Sequence, residues 1–321
     1  MRVNDNLFVV IAASAVFYGT PLFFAALGEV ITERAGVLNL GVEGMMLMGA
    51  VTASYVATNA GGPTWLVLTL AVLAAMVAGA ATALIHAVLV ISLRVNQTIS
   101  GLAITIFAGA AGLSSYLAST WDLGQSPVPH QFTKLDLLGL EDLPVLGPIV
   151  FHQNALTYLS WVLAVIASWY LFRTRRGLHL RAVGESPESA DAMGINVTLA
   201  RYVHTLVGGS LSGIAGAFFS LAIITTWVDG MTAGRGWIAI ALVIFGFWRP
   251  GLTLAGAYLF GAFSSLGLTL QARGFDISPQ FLDSLPYVMT IVVLVALSSG
   301  WAGRRFGAPG ALGTPYEREE R

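Results

Sequence analysis

Long apolar stretches alternate with short polar interruptions along almost the whole chain. A run of about 20 apolar residues is long enough to cross a hydrocarbon core of about 30 Å as an α-helix. The pattern therefore predicts an all-α membrane protein, a polytopic bundle of about eight to ten segments. Nine stretches are predicted as segments of this bundle: Leu7–Leu27, Ala35–Thr58, Trp65–Ile91, Thr98–Ala118, Asn154–Phe172, Val203–Thr226, Gly236–Trp248, Gly251–Leu270 and Leu282–Ser298.

Two of these stretches differ from an ordinary membrane span. Ala35–Thr58 contains Asn39, Glu43 and four glycines, and Gly236–Trp248 is too short to cross without tilting or bilayer thinning. Both are predicted to be broken or half-spanning helices. The chain is 56% hydrophobic and 10% charged, whereas a soluble domain carries about one quarter charged residues. Residues 1–306 are therefore predicted to form one transmembrane domain.

Arginine placement predicts the orientation, because short cytoplasmic loops carry an excess of positive charge. If the polar stretch at 173–201 is cytoplasmic, alternation of the spans places 12 of the 16 Lys and Arg residues on that side. Eight of the 17 Asp and Glu residues then fall on the opposite side, beside only four Lys and Arg residues. This arrangement predicts a cytoplasmic C-terminus and an external N-terminus.

The cytoplasmic loop 173–201 contains signals for a short helix. Ser186 is a suitable N-cap, Pro187 suits the first helical position, and Glu188 adds a negative charge to the first turn. Gly194 is a stop signal about two turns later. The spacing predicts a helix over residues 187–193.

Three apolar residues near this helix, Ala190, Met193 and Ile195, form a small patch in the sequence pattern. Such a patch is suited to a groove on another protein. The alternative is a solvated loop helix with no partner. The sequence pattern alone leaves both interpretations open.

Two further polar regions are predicted outside the spans. The outer loop 119–153 contains four prolines among interleaved acidic and apolar residues, which predicts an irregular segment packed on the outer surface. This loop is a candidate contact for an external partner. Residues 307–321 are rich in Gly and Pro and then charged, which predicts a disordered cytoplasmic tail.

Asn39 and Glu43 are the candidate residues of a translocation path. A buried carboxylate costs several kcal/mol unless it is paired, hydrogen-bonded or facing water, so Glu43 is a functional candidate. The structural alternative is that both side chains satisfy backbone groups where glycines break the helix. His86, within the third span, is more simply explained by a hydrogen bond inside the bundle than by a proton relay.

Small and aromatic residues have mainly structural interpretations. Gly209 and Gly213, like Ala257 and Gly261, have the small-x-x-x-small spacing that lets membrane helices approach closely. Tryptophans near span ends are predicted to lie in the interfacial belts. These are Trp65, Trp121, Trp169, Trp227, Trp237 and Trp248.

Several chemistries are excluded by the sequence. Cys is absent, so thiol catalysis and thiolate metal sites are excluded. The single lysine, Lys134, does not lie in a G-K-[ST] motif, so a Walker A loop is absent. HExxH and GxSxG are also missing. The chain is therefore predicted not to be an enzyme, with no catalytic, cofactor-binding or metal-ligating residues.

Four motifs, in this order, resemble the permease subunit of bacterial ABC importers in the branched-chain amino acid and simple-sugar superfamily. They are GEVITERAGVLNLGVEGMMLMGA, VNQTISGLAI, RAVGESPESADAMGI and IALVIFGFWRPGLTLAGAYLFG. Within that superfamily the chain is most similar to nucleoside importers that work with a basic-membrane-protein type lipoprotein. The resemblance covers most of the chain between Gly28 and Trp301.

The resemblance implies a coupling helix that enters a cleft in an ATPase subunit. The matching positions are Gly184, Glu185, Pro187, Ala190 and Gly194, and Met193 completes the candidate coupling residues. It also implies three protein partners, namely an ABC ATPase that binds ATP and Mg²⁺, a second and paralogous permease, and an extracytoplasmic substrate-binding lipoprotein. The expected substrate is a small hydrophilic solute and not a nucleic acid, and the expected location is the bacterial inner membrane.

The resemblance favours inward transport of nucleosides, coupled to ATP hydrolysis by the partner. Ribose-type sugars and branched-chain amino acids are alternative cargoes for the same machinery. An ion-coupled secondary transporter is an alternative of another class. It requires buried carboxylates or histidines in several spans, and the sequence pattern identifies only Glu43 and His86.

Overall fold

The computed structural model describes residues 7–109, 111–136, 139–272 and 307–317, with nine scattered positions between 278 and 295. The side chains of residues 268, 271 and 272 are not described. The ninth predicted segment, Leu282–Ser298, falls for the most part outside the described residues.

The described chain is built almost entirely of helices, as predicted. Pro21 lies inside α1, and π-helical turns at Val88–Ser92 and Phe219–Ile223 extend α3 and α9. The helices are α1 (Leu7–Glu33), α2 (Val42–Asn59), α3 (Thr64–Ala87), α4 (Gln97–Ala108), α5 (Leu113–Thr120), α6 (Ala155–Arg173), α7 (Arg175–Glu185), α8 (Pro187–Ala192), α9 (Val197–Phe218), α10 (Arg235–Phe245) and α11 (Pro250–Ala272).

Among the described residues, five helical stretches are long and apolar enough to cross a membrane. The described stretches are Leu7–Glu33, Thr64–Ser92, Gln97–Thr120, Ala155–Arg173 and Val197–Ile223. The third of them is interrupted between α4 and α5. In the predicted segment Ala35–Thr58, the helix begins only at Val42, and α10 is only 11 residues long. Broken and short helices are therefore part of this bundle.

The centre of the bundle is formed by α1, α2, α3 and α9, with α11 packed along α1. Glycines allow the closest approaches. A Cβ atom on Gly49 of α2 would lie 2.4 Å from the carbonyl oxygen of Gly213 in α9, and one on Gly79 of α3 would lie 2.1 Å from that of Gly209. Real Cβ contacts are longer, so any larger residue would force these helices apart. The small-residue spacing predicted from the sequence is therefore used for helix packing.

The outer loop 119–153 packs against the end of α9. The backbone N–H groups of Val128 and Phe132 donate to the carbonyls of Thr225 and Leu221, at 2.8 and 2.9 Å. Two short antiparallel strands, β1 (Lys134–Asp136) and β2 (His152–Asn154), form the only regular pairing among the described residues of the loop. The loop is thus largely irregular but fixed to the bundle.

The C-terminal segment, residues 307–317, differs from the predicted disordered tail. It lies against the loop 173–201, where the N–H of Ala311 donates to the carbonyl of Gly184 at 2.9 Å. Pro309 and Ala311 are buried. Composition predicted disorder because the segment has few apolar residues. Its order comes from hydrogen bonds to residues more than 100 positions earlier.

Candidate functional site

The helix pair α7 and α8, with the turn that follows it, contains the residues predicted to contact an ATPase. Ser186 caps α8 by accepting a hydrogen bond from the Ser189 N–H at 3.4 Å, and Pro187 occupies the first turn. Gly194 follows with φ of +82°, a left-handed conformation that favours glycine. The predicted helix over 187–193 is present and ends one residue earlier. Helix α7 was not predicted.

The expected apolar patch is divided by the fold. Ala190 is 2% exposed and packs with Val183 and Val197, and Ile195 is partly buried against the same cluster. Met193 alone of the three patch residues projects outward, with 82% of its surface exposed. Ala190 and Ile195 pack against this internal cluster, so Met193 is the patch residue most available for an apolar contact with a partner.

Gly184 brings the helix pair against the end of α1. A Cβ atom at this position would lie 2.3 Å from the carbonyl oxygen of Arg34. Backbone atoms cannot move aside as a flexible side chain can. The small size of Gly184 therefore permits the contact between the loop 173–201 and the end of α1.

Three guanidinium groups surround the Phe172 ring beside this contact. Those of Arg34, Arg181 and Arg249 lie 5.9, 5.3 and 6.0 Å from the ring centroid. Burial lowers the pKa of Arg34, and the charges of Arg181 and Arg249 lower it further, whereas Glu185 raises it. This face of the described chain is strongly positive.

Glu43 joins the start of α2 to the start of α10. Its Oε1 accepts hydrogen bonds from the Thr232 hydroxyl at 2.5 Å and the Gly234 N–H at 2.7 Å, and its Oε2 accepts one from the Gly236 N–H at 2.6 Å. The first N–H groups of a helix have no intrahelical partner and form the positive end of the helix dipole. Glu43 therefore caps α10, in agreement with the structural interpretation of this residue.

Asn39 bonds to a carboxyl group that sequence reasoning missed. Its Nδ2 donates to Oε1 of Glu29 at 2.8 Å, and its Oδ1 accepts from the Gly41 N–H at 3.0 Å. Glu29 is fully buried in α1, and its Oε2 has no hydrogen-bond partner among the described residues. Asn39 and Glu43 thus belong to two separate sets of hydrogen bonds, one with Glu29 and one at the start of α10.

A second missed carboxyl group, Glu33, lies one turn further along α1. It accepts a hydrogen bond from Trp248 Nε1 at 2.5 Å, and the neighbouring Arg34 donates to the carbonyls of Phe247 and Trp248 at 3.4 and 3.2 Å. Phe247 and Trp248 both have positive φ, at 51° and 52°. Glu33 and Arg34 therefore hold the strained turn between α10 and α11.

Three sequence predictions are corrected by the structure. Trp248 is buried within the bundle and is not exposed as a belt residue would be, since its indole N–H donates to Glu33. Glu43 and His86 are not the only buried ionisable residues, since Glu29, Glu33 and Arg201 are buried as well. The first predicted span ended at Leu27, but α1 continues to Glu33. The absence of any Gly or Pro between Glu29 and Glu33 was the available signal.

His86 is hydrogen-bonded inside the bundle, as its simpler interpretation predicted. Its Nδ1 lies 2.9 Å from the Ser100 hydroxyl, and its Nε2 lies 3.1 Å from the Leu38 carbonyl. The N–H of Leu38 donates to Gln97 Oε1 at 2.6 Å. The loop before α2 is therefore held by side chains from α3 and α4.

On the outer hairpin, Asp136 and His152 are opposed across β1 and β2, with 2.6 Å between Oδ1 and Nδ1. Glu141 joins them, and the three ligand-type atoms lie within 4.8 Å of one another. The pKa of Asp136 is lowered, mainly by a hydrogen bond with Glu141 and to a smaller extent by the hydrogen bond with His152. The bond between the two carboxyl groups raises the pKa of Glu141. The sequence did not single out this group.

Comparison with known proteins places these features in context. Residues 11–295 match the family described as the permease component of branched-chain amino acid transport systems. A putative glucose ABC transporter permease of Haloferax volcanii is 40% identical over 94% of this chain and 95% of its own. No solved structure matches.

Two further relatives carry nucleoside names. The guanosine ABC transporter permease NupQ of Bacillus subtilis is 37% identical over the full length of both chains. The nucleoside ABC transporter permease NupC of Lactococcus lactis is 37% identical over 90% of this chain and 92% of its own. Permeases of this kind act with ATPase and substrate-binding partners and are not themselves enzymes. The apolar helices of this chain and its match to the family show that it is a multi-pass plasma-membrane protein. The chain belongs to this ABC permease family.

Proposed function

We propose that this permease imports nucleosides. The observation that carries the proposal is the 37% identity, over the entire length of both chains, to a permease named for guanosine transport. A second relative named for nucleosides matches over nine tenths of the chain. Because the similarity extends over the full length, it includes the membrane helices that form the translocation path. It therefore supports the choice of substrate as well as the mode of assembly.

A hexose is the second candidate cargo. The putative glucose permease of Haloferax volcanii is 40% identical over almost the whole chain. Nucleosides and sugars share hydroxyl groups, which donate and accept hydrogen bonds in the same way. A path suited to one class can therefore become suited to the other through few substitutions.

Uptake of labelled solutes separates the candidate cargoes. The test compares guanosine, glucose, ribose and leucine in a strain that lacks this permease and in the same strain with the gene restored. Restored guanosine uptake, inhibited by unlabelled nucleosides and unaffected by glucose, is the expected result. Unchanged guanosine uptake after deletion contradicts the proposal.

The partner proposal has two parts, a paralogous permease and a substrate-binding lipoprotein. Two proteins of Bacillus subtilis named as guanosine ABC transporter permeases, NupQ and NupP, are 37% and 25% identical to this chain. Two glucose permeases of Haloferax volcanii show the same division, at 40% and 29%. This pattern supports a heterodimer in which the present chain is one half. Co-purification of the chain with a paralogue that shares about a quarter of its sequence is the test.

The coupling role of α8 remains a proposal that rests on the family resemblance and on exposure. Met193 is the test position, because its side chain is exposed and supports no internal packing. We expect Met193→Asp to weaken ATPase co-purification at least tenfold, since a desolvated charge in an apolar contact costs more than about 1.4 kcal/mol.

The matched control for this substitution is Leu135→Asp on the outer hairpin. Leu135 is also an exposed apolar residue, but it lies on the predicted external face. This variant should retain the ATPase. Equal retention by both variants means that Met193 is not in the interface.

For the path, Glu29 joins Asn39 and Glu43 as a candidate. A buried polar atom without a partner requires an explanation, and water or a ligand group is a common one. Glu43 already accepts three hydrogen bonds, whereas one oxygen of Glu29 has no partner in the described part of the chain. A hydroxyl or amino group of a hydrophilic solute can donate to Glu29 once the bundle opens.

A further inference from the structure

The C-terminal segment 307–317 makes its first contacts with the end of α7. The N–H of Ala311 donates to the Gly184 carbonyl at 2.9 Å, and the N–H of Gly310 lies 3.4 Å from Oε2 of Glu185. The turn that presents these groups is closed by hydrogen bonds from the Leu312 N–H to the Pro309 carbonyl and from the Thr314 hydroxyl to the Ala311 carbonyl. The segment therefore touches two residues of the proposed coupling region.

The second half of the segment covers α8 and the start of α9. The Thr314 carbonyl accepts a hydrogen bond from Arg201 Nη1 at 3.3 Å, and the Tyr316 ring centroid lies 6.0 Å from the Arg201 guanidinium. Tyr316 also packs against the cluster of Val183, Ala190 and Val197. Ala190 belongs to α8, so Tyr316 packs against the cluster that joins α8 to the end of α7 and the start of α9.

Arg201 is buried next to the C-terminal segment and is stabilised by contacts with it. Only 1% of its surface is exposed, and its Nε and Nη2 atoms have no hydrogen-bond partner among the described residues. A buried guanidinium is costly unless acceptors and counter-charges compensate. The Thr314 carbonyl and the Tyr316 ring supply part of this compensation, so the segment and Arg201 are mutually dependent.

The same carbonyl connects the segment to the loop before α2. Gln97 Nε2 donates to the Thr314 carbonyl at 3.3 Å, while Gln97 Oε1 accepts from the Leu38 N–H at 2.6 Å. The Leu38 carbonyl in turn contacts His86, and Asn39 follows Leu38 directly. Hydrogen bonds and packed side chains thus run without a gap from α8 to the buried polar residues of the bundle.

We propose that residues 307–317 are a positioning segment that braces α8 and transmits its movement to the loop 34–41 through Gln97. The proposal rests on the proposed coupling role of α8. A two-turn helix with one exposed apolar residue has little packing of its own to resist a push from an ATPase. With the segment in place, a displacement of α8 must also move Thr314, Gln97 and Leu38.

The test uses the complete transporter, with its ATPase, partner permease and binding protein, in proteoliposomes. The deletion variant ends at Phe306, and its matched control ends at Glu317, so that only the second retains every contact described above. Two point variants, Tyr316→Ala and Gln97→Met, remove the cover of α8 and the link to Leu38 separately. Three quantities are measured: ATPase subunit bound per permease, ATP hydrolysed, and labelled guanosine, glucose, ribose or leucine imported.

We expect the variant ending at Phe306 and Gln97→Met to retain the ATPase and its hydrolysis, while solute imported per ATP falls at least about fivefold, the lower end of ordinary coupling between sites. The control ending at Glu317 should match the wild type. Import per ATP at the wild-type value in the Phe306 variant overturns the proposal. So does loss of the ATPase from that variant if both point variants behave as wild type, because the segment then serves assembly alone.

If the variant ending at Phe306 does not reach the membrane, the two point variants decide the outcome. Reduced import per ATP in either supports the proposal, and wild-type values in both overturn it. Failure of the proposed function has a different signature. In that case the wild-type permease binds no ATPase, or guanosine is not among the solutes it imports.

Discussion

Glu43 and Glu29 are buried carboxyl groups only 14 positions apart, yet their surroundings differ in one respect. Glu43 accepts hydrogen bonds from Thr232, Gly234 and Gly236, and both of its oxygens are used. Glu29 accepts one from Asn39, and its second oxygen has no partner among the described residues. A fully satisfied carboxylate fixes structure, whereas one with an unused acceptor can bind a further group.

Both carboxyl groups are buried, so burial alone does not identify a functional carboxylate. Glu43 stood out in the sequence because it interrupts an apolar segment, and its partners show that it caps α10. Glu29 did not stand out, because it lies at the end of an apolar run. The number of donors around each group therefore orders the expected effects of substitution.

The largest expected effect is that of Glu43→Gln. The amide has the shape of the carboxylate but places a donor against one of the N–H groups at the start of α10. The new amide donor and that backbone N–H are both left without an acceptor. Each unpaired buried donor costs about 1–3 kcal/mol, so we expect a loss of about 2–6 kcal/mol in unfolding free energy.

Thermal unfolding of the purified permease in nanodiscs measures this loss. Thr232→Val, which removes one of the three donors, is the graded control and should cost less. Equal stability of Glu43→Gln and the wild type would contradict the capping role.

A smaller loss is expected for Trp248→Phe. It removes the donor that Glu33 accepts from and leaves that carboxyl group buried without this bond. The expected cost is about 1–3 kcal/mol. The turn at Phe247 and Trp248 should also become more accessible to hydrogen exchange, because its positive φ angles then have less support. Unchanged exchange rates would show that Arg34 alone holds the turn.

Glu29→Gln should have little effect on folding and a large effect on transport. The amide oxygen still accepts from Asn39, so the unfolding free energy should change by less than about 1 kcal/mol. Solute uptake should nevertheless fall at least tenfold if the unused oxygen receives a group of the solute, a loss of about 1.4 kcal/mol or more. Normal uptake at normal expression would remove Glu29 from the candidate path.

The smallest effect is expected for Asp136→Asn on the outer hairpin. Its carboxylate pairs with His152, but both side chains are substantially exposed, and solvent screens such surface pairs so that they contribute little to stability. Neither unfolding nor uptake should change measurably. A stability loss comparable to that of Trp248→Phe would place the hairpin among the essential contacts of the outer face.

Prediction from the sequence succeeded where the signal is local. The helix that begins at Pro187 was predicted because its start and stop signals, Ser186, Pro187 and Gly194, lie within or next to the helix itself. The membrane class followed from the length of apolar runs. The end of α1 was missed because two glutamates look like the end of a span. Their partners, Asn39 and Trp248, lie 10 and 215 residues further along the chain.

The C-terminal segment shows the same limit. Composition predicted disorder after Phe306, since the segment has too little apolar surface to form a core of its own. The segment is held by contacts with Gly184, Gln97 and Arg201, which lie far away in the chain. The composition of the segment itself does not predict such contacts.

The sequence by itself determined that this chain is an α-helical membrane protein, where most of its helices lie, and that α8 is capped by Ser186. These features depend on the free energy of apolar runs in lipid and on short-range backbone geometry. Only the tertiary structure decided that Glu43 caps α10, that one oxygen of Glu29 has no partner among the described residues, and that residues 307–317 contact Gly184, Gln97 and Arg201. Each of these depends on which donors and acceptors are brought together by packing, and hydrophobic periodicity does not encode that pairing.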